Sequence, residues 1–213
     1  MSDEDDVLKE LCAVASSLYD RGYAHGSTGN LSIRRNDVVW ITPTGASLRG
    51  LTLDDLACVT MSGESLRQPQ PSKEVPFHLA AYRARPQAQA VAHLHSLHAV
   101  ALSCLADLNP DGAVPALTPY FFMRVAPLGV VPYFPPGSAE LAEAIGTAIR
   151  TARSLLLRNH GLMTSGATLA EAVDAAEELE ATARLFFLLK GERTRTLSPG
   201  EILDLKRRFP HGP

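Results

Sequence analysis

Pairs of short apolar strands joined by tight turns alternate with helical segments along this chain, and this order constrains the fold more than any other feature. Residues 31–34 and 38–42 show strand patterns on either side of the turn Arg35-Asn36-Asp37. A second such pair occupies residues 57–61 and 64–68. Neighbouring strands with short connections, mixed among helices, favour an antiparallel or mixed sheet covered by helices.

Apolar periodicity and breaks at glycine or proline locate the remaining segments. Leu8 and Leu11 recur at helical spacing, and Thr168 with Glu171 forms a capping-box pattern before a long helix. The predicted helices are residues 5–19, a segment after Glu74 that ends before Pro86, 96–105, 139–151, 168–190 and 198–208, and the predicted strands are 89–95, 154–158 and 162–164. Residues 109–136, which contain many prolines, are predicted to hold short strands and long loops.

The composition describes a chain long enough to bury its own core. Its 213 residues, of which 46% are apolar, need no disulfides for this, and a net charge of −3 gives no reason to expect a nucleic-acid or membrane partner. The three cysteines, Cys12, Cys58 and Cys104, are odd in number and far apart in the sequence. This pattern predicts reduced thiols, as in proteins of a reducing compartment. The acidic N-terminus lacks a signal-peptide pattern, and no apolar run reaches the roughly 18 residues of a membrane span. We therefore expect a cytoplasmic protein that needs a local pocket of donors to bind an anionic substrate.

Three histidines indicate a metal site. His93 and His95 lie two residues apart in a predicted strand, so their imidazoles project from the same face. This spacing also fits a strand end that carries two ordinary polar residues. His160 follows a second apolar strand and precedes Gly161, and three histidine ligands with an open fourth position are typical of a catalytic zinc site.

Glu74 and three short clusters of hydrogen-bond donors are further candidates. Glu74 begins a helix, where a carboxylate favours the helix dipole, and it could instead act as a general acid or base beside the metal. The donor clusters are the loop 26–32, with Ser27, Thr28 and Asn30, and the pairs Thr44-Gly45 and Ser72-Lys73. Backbone N–H groups in such turns can bind a phosphate, although glycine-rich turns most often only reverse the chain.

Five motifs occur along the chain in one order: Gly26-Ser-Thr-Gly-Asn-Leu-Ser32, Ile41-Thr-Pro-Thr-Gly45, Pro71-Ser-Lys-Glu74, His93-Leu-His95 and Asn159-His-Gly161. With these motifs, residues 5–190 resemble the class II aldolase/adducin family. The resemblance implies an α/β fold for a single domain spanning residues 1–213, with three layers (α/β/α) and a central, mostly antiparallel sheet flanked by helices. It also implies a homotetramer with active sites at the subunit interfaces.

The resemblance implies roles for individual residues by position. His93, His95 and His160 match the zinc-binding histidines of the family, with manganese or cobalt as other possible ions, and Glu74 matches its catalytic glutamate. The phosphate-binding positions match Ser27, Asn30, Thr44, Gly45 and Ser72. Lys73 stands where the aldolase has a second serine, and a lysine there could supply charge to the phosphate.

Three strings point to a sub-branch of the family. Pro-Ser-Lys-Glu, His-Leu-His-Ser and Leu117-Thr-Pro-Tyr120, with Met123-Arg124 following, are similar to the 3-oxo-tetronate 4-phosphate decarboxylases. This likeness implies a zinc-dependent carbon–carbon lyase that converts this phosphorylated four-carbon sugar acid to dihydroxyacetone phosphate and carbon dioxide, through a metal-stabilised enediolate. An aldolase that cleaves a ketose 1-phosphate such as fuculose 1-phosphate stays open, and so does a non-catalytic, adducin-like binding module.

Five further residues have expected roles in or near the predicted site. The resemblance implies that Tyr120 is a catalytic residue that reaches a neighbouring subunit's site, and a packed loop aromatic is the alternative. Arg124 is a candidate for the substrate carboxylate, because a guanidinium binds a carboxylate through two parallel hydrogen bonds. His78 and His98 are expected to serve the predicted helices that carry them, and His25 is expected to be a loop residue.

Overall fold

The computed structural model describes residues 3–108 and 113–209, and in this part of the chain eight strands form one sheet. The strands are β1 (Asn30–Arg35), β2 (Val38–Ile41), β3 (Ala57–Thr60), β4 (Ser65–Arg67), β5 (Ala90–Leu94), β6 (Leu128–Val131), β7 (Ser154–Leu157) and β8 (Gly161–Gly166). Their order is β4-β3-β2-β1-β5-β8-β7-β6, and β6–β7 is the one parallel pair among these described strands. The mostly antiparallel sheet expected from the sequence is confirmed, with both predicted hairpins.

Helices cover both faces of this sheet. They are α1 (Asp3–Asp20), α2 (Val75–Ala84), α3 (Leu97–Ser103), α4 (Ala139–Ala148), α5 (Leu169–Leu188) and α6 (Pro199–Arg208). Side chains alternate along β5, so that Ala92 packs into a core with α1, α3 and α5 while Val91 packs into a core with α2 and α4. The three-layer α/β/α arrangement is therefore confirmed. Among the described residues, no helix has both the length and the apolar composition that crossing a membrane requires.

The region from residue 109 to 136 differs from the prediction of short strands and long loops. Its described part contains one strand, β6, and a five-residue π-helical turn at Phe121–Val125, while residues 109–112 lie outside the described residues. Phe121 and Val125 are both buried in the core that contains α5. In a helical turn, side chains four residues apart lie close together on one face, whereas a strand would place them more than about 10 Å apart. The turn therefore lets Phe121 and Val125 pack together against α5.

Gly161 lies at the start of β8, where this strand passes β5 with no room for a side chain. A Cβ atom on Gly161 would lie 2.5 Å from the carbonyl oxygen of Leu94 and 3.2 Å from Cδ2 of His95. A glycine in a strand often marks such a close approach of two backbones. Its small size therefore allows His95 and His160 to lie side by side at the ends of two neighbouring strands.

Gly161→Ala is expected to lower the free energy of unfolding by about 1–3 kcal/mol, because the backbone must shift to remove the overlap. The matched control is Gly146→Ala in α4, where the new methyl group would meet Cβ of Ala80 at an ordinary 3.5 Å. The control is expected to be neutral or stabilising, since alanine favours a helix. Urea unfolding of both variants checks the prediction, and equal stabilities would contradict it.

Candidate metal centre and active site

Three histidines meet at the end of β5. His93 lies in β5 and His95 follows directly after it, so both imidazoles leave the same face. His160 lies in the tight turn between β7 and β8, where Asn159 adopts a left-handed φ of 54° and the His160 N–H donates to the carbonyl oxygen of Leu157. One nitrogen from each of the three rings lies within 4.8 Å of the others. This group could hold a single metal ion.

The hydrogen bond of His93 fixes which of its nitrogens faces the other two rings. Its Nδ1 lies 2.8 Å from the carbonyl oxygen of Leu162, which can only accept, so Nδ1 carries the proton. Nε2 of His93 is left with a free lone pair, 2.9 Å from Nε2 of His95. Imidazole nitrogens oriented by such outer hydrogen bonds are the usual ligands of zinc and similar divalent ions. The donor set therefore fits a metal of this kind.

Burial also keeps these histidines in the form that binds a metal. It lowers the pKa of His93 to about 3, because the charged imidazolium is poorly solvated inside the protein. Burial, followed by the charge of His160, lowers the pKa of His95 to about 4. Both rings are therefore neutral near pH 7, and a neutral imidazole has the lone pair that a metal ion needs.

Glu74 is buried beside the three histidines, immediately before α2. Its Oε1 lies 3.3 Å from Nε2 of His160, its Oε2 lies 3.4 Å from Nε2 of His93, and Nδ2 of Asn30 donates to Oε2 across 2.7 Å. Burial raises the pKa of Glu74, but the electrostatic interaction with His93 and the hydrogen bonds with His160 and Asn30 outweigh it and hold the pKa well below its usual range. The structure thus places an ionised carboxylate beside the three histidines that could hold a metal ion.

Acid is expected to destabilise the metal-free chain, because the fold keeps buried histidines neutral. Burial lowers the pKa of both His78 and His93 from 6.5 to about 3, so below pH 6.5 the unfolded chain takes up protons that the folded chain does not. Each residue then lowers the free energy of unfolding by up to about 1.4 kcal/mol per pH unit as the pH falls from 6.5 towards 3. Urea unfolding at about pH 7.5 and 5.5 measures this, and equal stability at both would contradict it.

Apart from Asn30, which begins β1, the predicted phosphate-binding residues lie on three loops. A β-bridge between Pro43 and Pro71 brings the Thr44-Gly45 turn beside the loop that precedes α2. Gly29, with a φ of 78°, passes so close to β5 that a Cβ atom would lie 2.9 Å from the carbonyl oxygen of His93. Ser27, Thr44, Gly45 and Lys73 are exposed on these loops, and Ser72 is buried.

Positive charge lies on the open side of the histidine group. The charges of His25 and Lys73 lower the pKa of His95, after the larger effects of burial and of His160. Both His25 and Lys73 are exposed. Lys73 would therefore attract an anionic group that binds beside His95. The sequence alone did not predict that His25 and Lys73 lie near His95.

Two buried residues behind Glu74 have contacts that the sequence did not predict. The carboxamide of Asn30 bonds Ser72 Oγ across 3.2 Å as well as Glu74, so this side chain is engaged inside the protein. His78, expected only to serve its helix, is fully buried, and its Nε2 lies 2.5 Å from Oδ1 of Asn30. The sequence feature that could have predicted a role for His78 beside Glu74 is the spacing Glu-x-x-x-His, which places two side chains on one helix face.

Tyr120 and Arg124 contact each other and α5 rather than the histidine group. The Arg124 guanidinium lies 5.8 Å from the Tyr120 ring centroid, and its Nη1 lies 3.7 Å from Oδ2 of Asp174. Tyr120 is 54% exposed. The structure does not bring these two residues to the site within one chain, and their roles stay predictions.

His98 also lies outside the histidine group. It bonds Glu180 with 2.7 Å between Nδ1 and Oε1, which joins α3 to α5.

The fold and the histidine site together define a class of protein. Residues 9–187 match the model of the Class II Aldolase and Adducin N-terminal domain. The chain belongs to this family, and the resemblance drawn from the five motifs is confirmed.

Named relatives narrow the comparison. The 3-oxo-tetronate 4-phosphate decarboxylase of Haemophilus influenzae is 45% identical over 206 residues, which cover 96% of this chain and 98% of that protein. The L-fuculose phosphate aldolase of Methanococcus maripaludis is 37% identical over 182 residues, or 85% of this chain and 97% of that protein. The crystal structure of YgbL from Escherichia coli has a TM-score of 0.94 at 41% identity, covering 96% of this chain and 100% of that chain.

Proposed function

We propose that this chain is a metal-dependent carbon–carbon lyase that decarboxylates 3-oxo-tetronate 4-phosphate to dihydroxyacetone phosphate and carbon dioxide. The observation that carries the proposal is the position of Glu74, whose two oxygens lie 3.3 and 3.4 Å from Nε2 of His160 and His93. A group that can carry a proton therefore lies beside a group that can hold a metal. The decarboxylase relative, matched over nearly the whole chain, supports the choice of substrate.

The chemistry of this substrate explains what the site must supply. Its carboxylate lies β to a ketone, so the carbon–carbon bond breaks with its electron pair passing into an enediolate as carbon dioxide leaves. A proton then adds to the carbon that carried the carboxylate, which gives dihydroxyacetone phosphate. The site must stabilise negative charge on oxygen, deliver one proton to carbon and hold a phosphate.

His93, His95 and His160 would hold the metal ion, for which zinc is our first choice and manganese or cobalt are alternatives. When bound, the ion supplies a Lewis acid that stabilises negative charge on the substrate oxygens. The hydrogen bond from Nδ1 of His93 to Leu162 keeps Nε2 of His93 pointed at the centre.

Glu74 would deliver the proton to carbon. Its burial shields the carboxyl group from bulk water, and the hydrogen bond from Asn30 gives it a fixed direction. The whole reaction consumes one proton, so Glu74 must take a new proton from solvent in each turnover. A fixed carboxyl group protonates one face of the enediolate, which makes the outcome stereospecific.

The phosphate and the carboxylate of the substrate would be held by the exposed side of the site. The proposed phosphate contacts are Ser27, Thr44, Gly45 and Lys73, which are exposed, and Ser72, which is buried. The predicted contact through the Asn30 side chain is not retained, because its carboxamide already bonds Glu74, Ser72 and His78. Lys73 lies close enough to His95 to influence its pKa, so its charge can act on an anion there. We further propose a homotetramer in which Tyr120 and Arg124 reach a neighbouring subunit's site, with Arg124 on the substrate carboxylate. The exposure of Tyr120 supports this arrangement.

An aldolase that cleaves fuculose 1-phosphate is the second candidate. Aldol cleavage of a ketose 1-phosphate passes through the same enediolate, and only the leaving group differs, an aldehyde instead of carbon dioxide. The 37% identity to an L-fuculose phosphate aldolase favours this alternative. A non-catalytic, adducin-like binding module is less well supported, because it gives no reason for Glu74 to be buried beside three histidines.

Separate incubations with the two substrates test the choice. Zinc-loaded protein is expected to release carbon dioxide and dihydroxyacetone phosphate from 3-oxo-tetronate 4-phosphate, well above the spontaneous rate of a β-keto acid. Lactaldehyde from fuculose 1-phosphate, with no enzymatic carbon dioxide from the first substrate, would replace the decarboxylase with the aldolase. No product from either would favour the binding module.

A further inference from the structure

A continuous row of buried polar groups leads from Glu74 into the protein interior. Nδ2 of Asn30 donates to Glu74 across 2.7 Å, and Oδ1 of Asn30 lies 2.5 Å from Nε2 of His78. Nδ1 of His78 lies 2.8 Å from Oγ of Ser32, which lies 2.7 Å from the Tyr82 hydroxyl oxygen. His78, Ser32 and Tyr82 have no exposed surface. The row therefore links the carboxylate to groups that solvent does not reach.

Two elements build this row from regular spacings. Asn30 and Ser32 lie two residues apart in β1, so they face the same side of the sheet. Glu74, at the N-cap of α2, and His78 and Tyr82, within the helix, lie at intervals of four residues on one helix face. The five side chains meet where this helix face packs on the strand.

The carboxylate sets the direction of the hydrogen bonds in the row. Ionised Glu74 can only accept, so Asn30 must turn its NH₂ group towards it. The Asn30 carbonyl oxygen then faces His78, which must donate from Nε2. Nδ1 of His78 is left unprotonated and accepts the hydroxyl proton of Ser32. The opposite tautomer would turn the Asn30 oxygen towards the carboxylate of Glu74, where the two oxygens repel each other.

We propose that His78 is a positioning residue: as a neutral imidazole protonated on Nε2, it holds the Asn30 carboxamide with its NH₂ group on Glu74. The inference rests on the proposed role of Glu74 in proton transfer. Burial favours the neutral ring, since it lowers the pKa of His78 to about 3. The competing explanation is that His78 only fills space beside Phe77, on which it stacks with 4.9 Å between ring centroids.

The loss of the Nε2 donor has a specific consequence. Without it the buried carbonyl oxygen of Asn30 has no donor, and only the bonds to Ser72 and Glu74 hold the amide, so the amide can turn or shift away from Glu74. The carboxyl group then loses its fixed direction towards the substrate carbon. The chemical step slows, while the three histidines and the phosphate loops keep their contacts. We therefore expect a lower kcat with little change in KM or in bound metal.

Three substitutions separate positioning from space filling. His78→Gln keeps an amide donor that can reach Asn30, whereas His78→Asn is too short and His78→Leu has no donor. The Leu and Asn variants are expected to lose about 10- to 100-fold in kcat with the zinc content unchanged, and the Gln variant to stay within about threefold of the wild type. His98→Leu, which removes a histidine bonded to Glu180, is the matched control and is expected to keep its activity.

Wild-type kcat in His78→Leu, or equal losses in the Gln and Asn variants, would overturn the proposal. If His78→Leu does not fold, the comparison of the two polar variants still decides.

Nitrogen-15 NMR of the zinc-loaded wild type is a second test of the proposed role of His78, and it needs no substrate. The signals of His78, assigned by their loss in His78→Gln, are expected to show a proton on Nε2 and none on Nδ1 at neutral pH. A proton on Nδ1, or on both nitrogens, would overturn the proposal. If neither substrate is turned over, the proposed function fails on that assay, while the tautomer of His78 still tests whether it holds Asn30.

Discussion

Glu74→Gln is expected to lower kcat for decarboxylation by about 10²–10⁴-fold, the range that general acid–base groups contribute. Glutamine has nearly the same shape, and its carbonyl oxygen can still accept the hydrogen bond that Asn30 donates to Glu74. It cannot, however, give a proton to carbon or take one back from water. Steady-state turnover of 3-oxo-tetronate 4-phosphate by the zinc-loaded variant measures the effect.

The metal content of the Glu74→Gln variant must be measured beside its activity, because the carboxylate lies only 3.3 and 3.4 Å from two histidine nitrogens. We expect zinc to remain bound, since three imidazoles are retained. Glu64→Gln, a change of an exposed carboxylate in the turn between β3 and β4, controls for the loss of one negative charge. Turnover of the Glu74 variant within about twofold of that of Glu64→Gln would remove Glu74 from the proposed role.

His95→Ala is expected to abolish both metal binding and turnover. The three ring centroids lie 4.8, 4.8 and 4.9 Å apart, so each ring supplies one side of the same small site. Removing one ring leaves two nitrogens, which hold a divalent ion far more weakly than three. The loss of affinity should exceed the roughly 10–100-fold that follows removal of a group that merely supports a ligand. Metal analysis of the purified variant gives the first reading.

His98→Ala is the matched control for this change, because His98 also sits after β5 but bonds Glu180 rather than the other histidines. It is expected to bind metal like the wild type.

Removing the metal from the wild type with a chelator is expected to abolish turnover, and adding back zinc, manganese or cobalt is expected to restore it. The ion that restores the highest turnover is the preferred one. A His95→Ala variant that retains a full complement of metal would show that the three histidines are not the metal site.

Much of the fold follows from local patterns in the sequence. The hairpins around Arg35-Asn36-Asp37 and Ser62-Gly63 depend on turn residues and alternating apolar positions, which are local signals. The spacing of His93 and His95 likewise predicts two imidazoles on one face, because side chains alternate along a strand. These features needed no knowledge of distant contacts. His160 joined the pair through its position after a second apolar strand, and the family motifs supported all three histidines as ligands.

The features that the sequence did not predict depend on contacts between distant parts of the chain. Glu74 lies near His93 because α2 packs on the sheet, and no local pattern encodes that distance. The buried row through His78 arises where α2 meets β1, so its residues look like ordinary helix and strand positions in the sequence. Residues 121–125 form a turn because packing against α5 overrides their extended preference.

Decarboxylation in deuterium oxide tests the proposed function most directly. Zinc-loaded protein is given 3-oxo-tetronate 4-phosphate, and carbon dioxide and the deuterium content of dihydroxyacetone phosphate are measured at short times. We predict equal amounts of the two products, with one deuterium in a single configuration at the carbon that lost the carboxylate, because Glu74 protonates one face. No carbon dioxide above the spontaneous rate, or deuterium divided equally between both configurations, would contradict a metal- and Glu74-dependent decarboxylase.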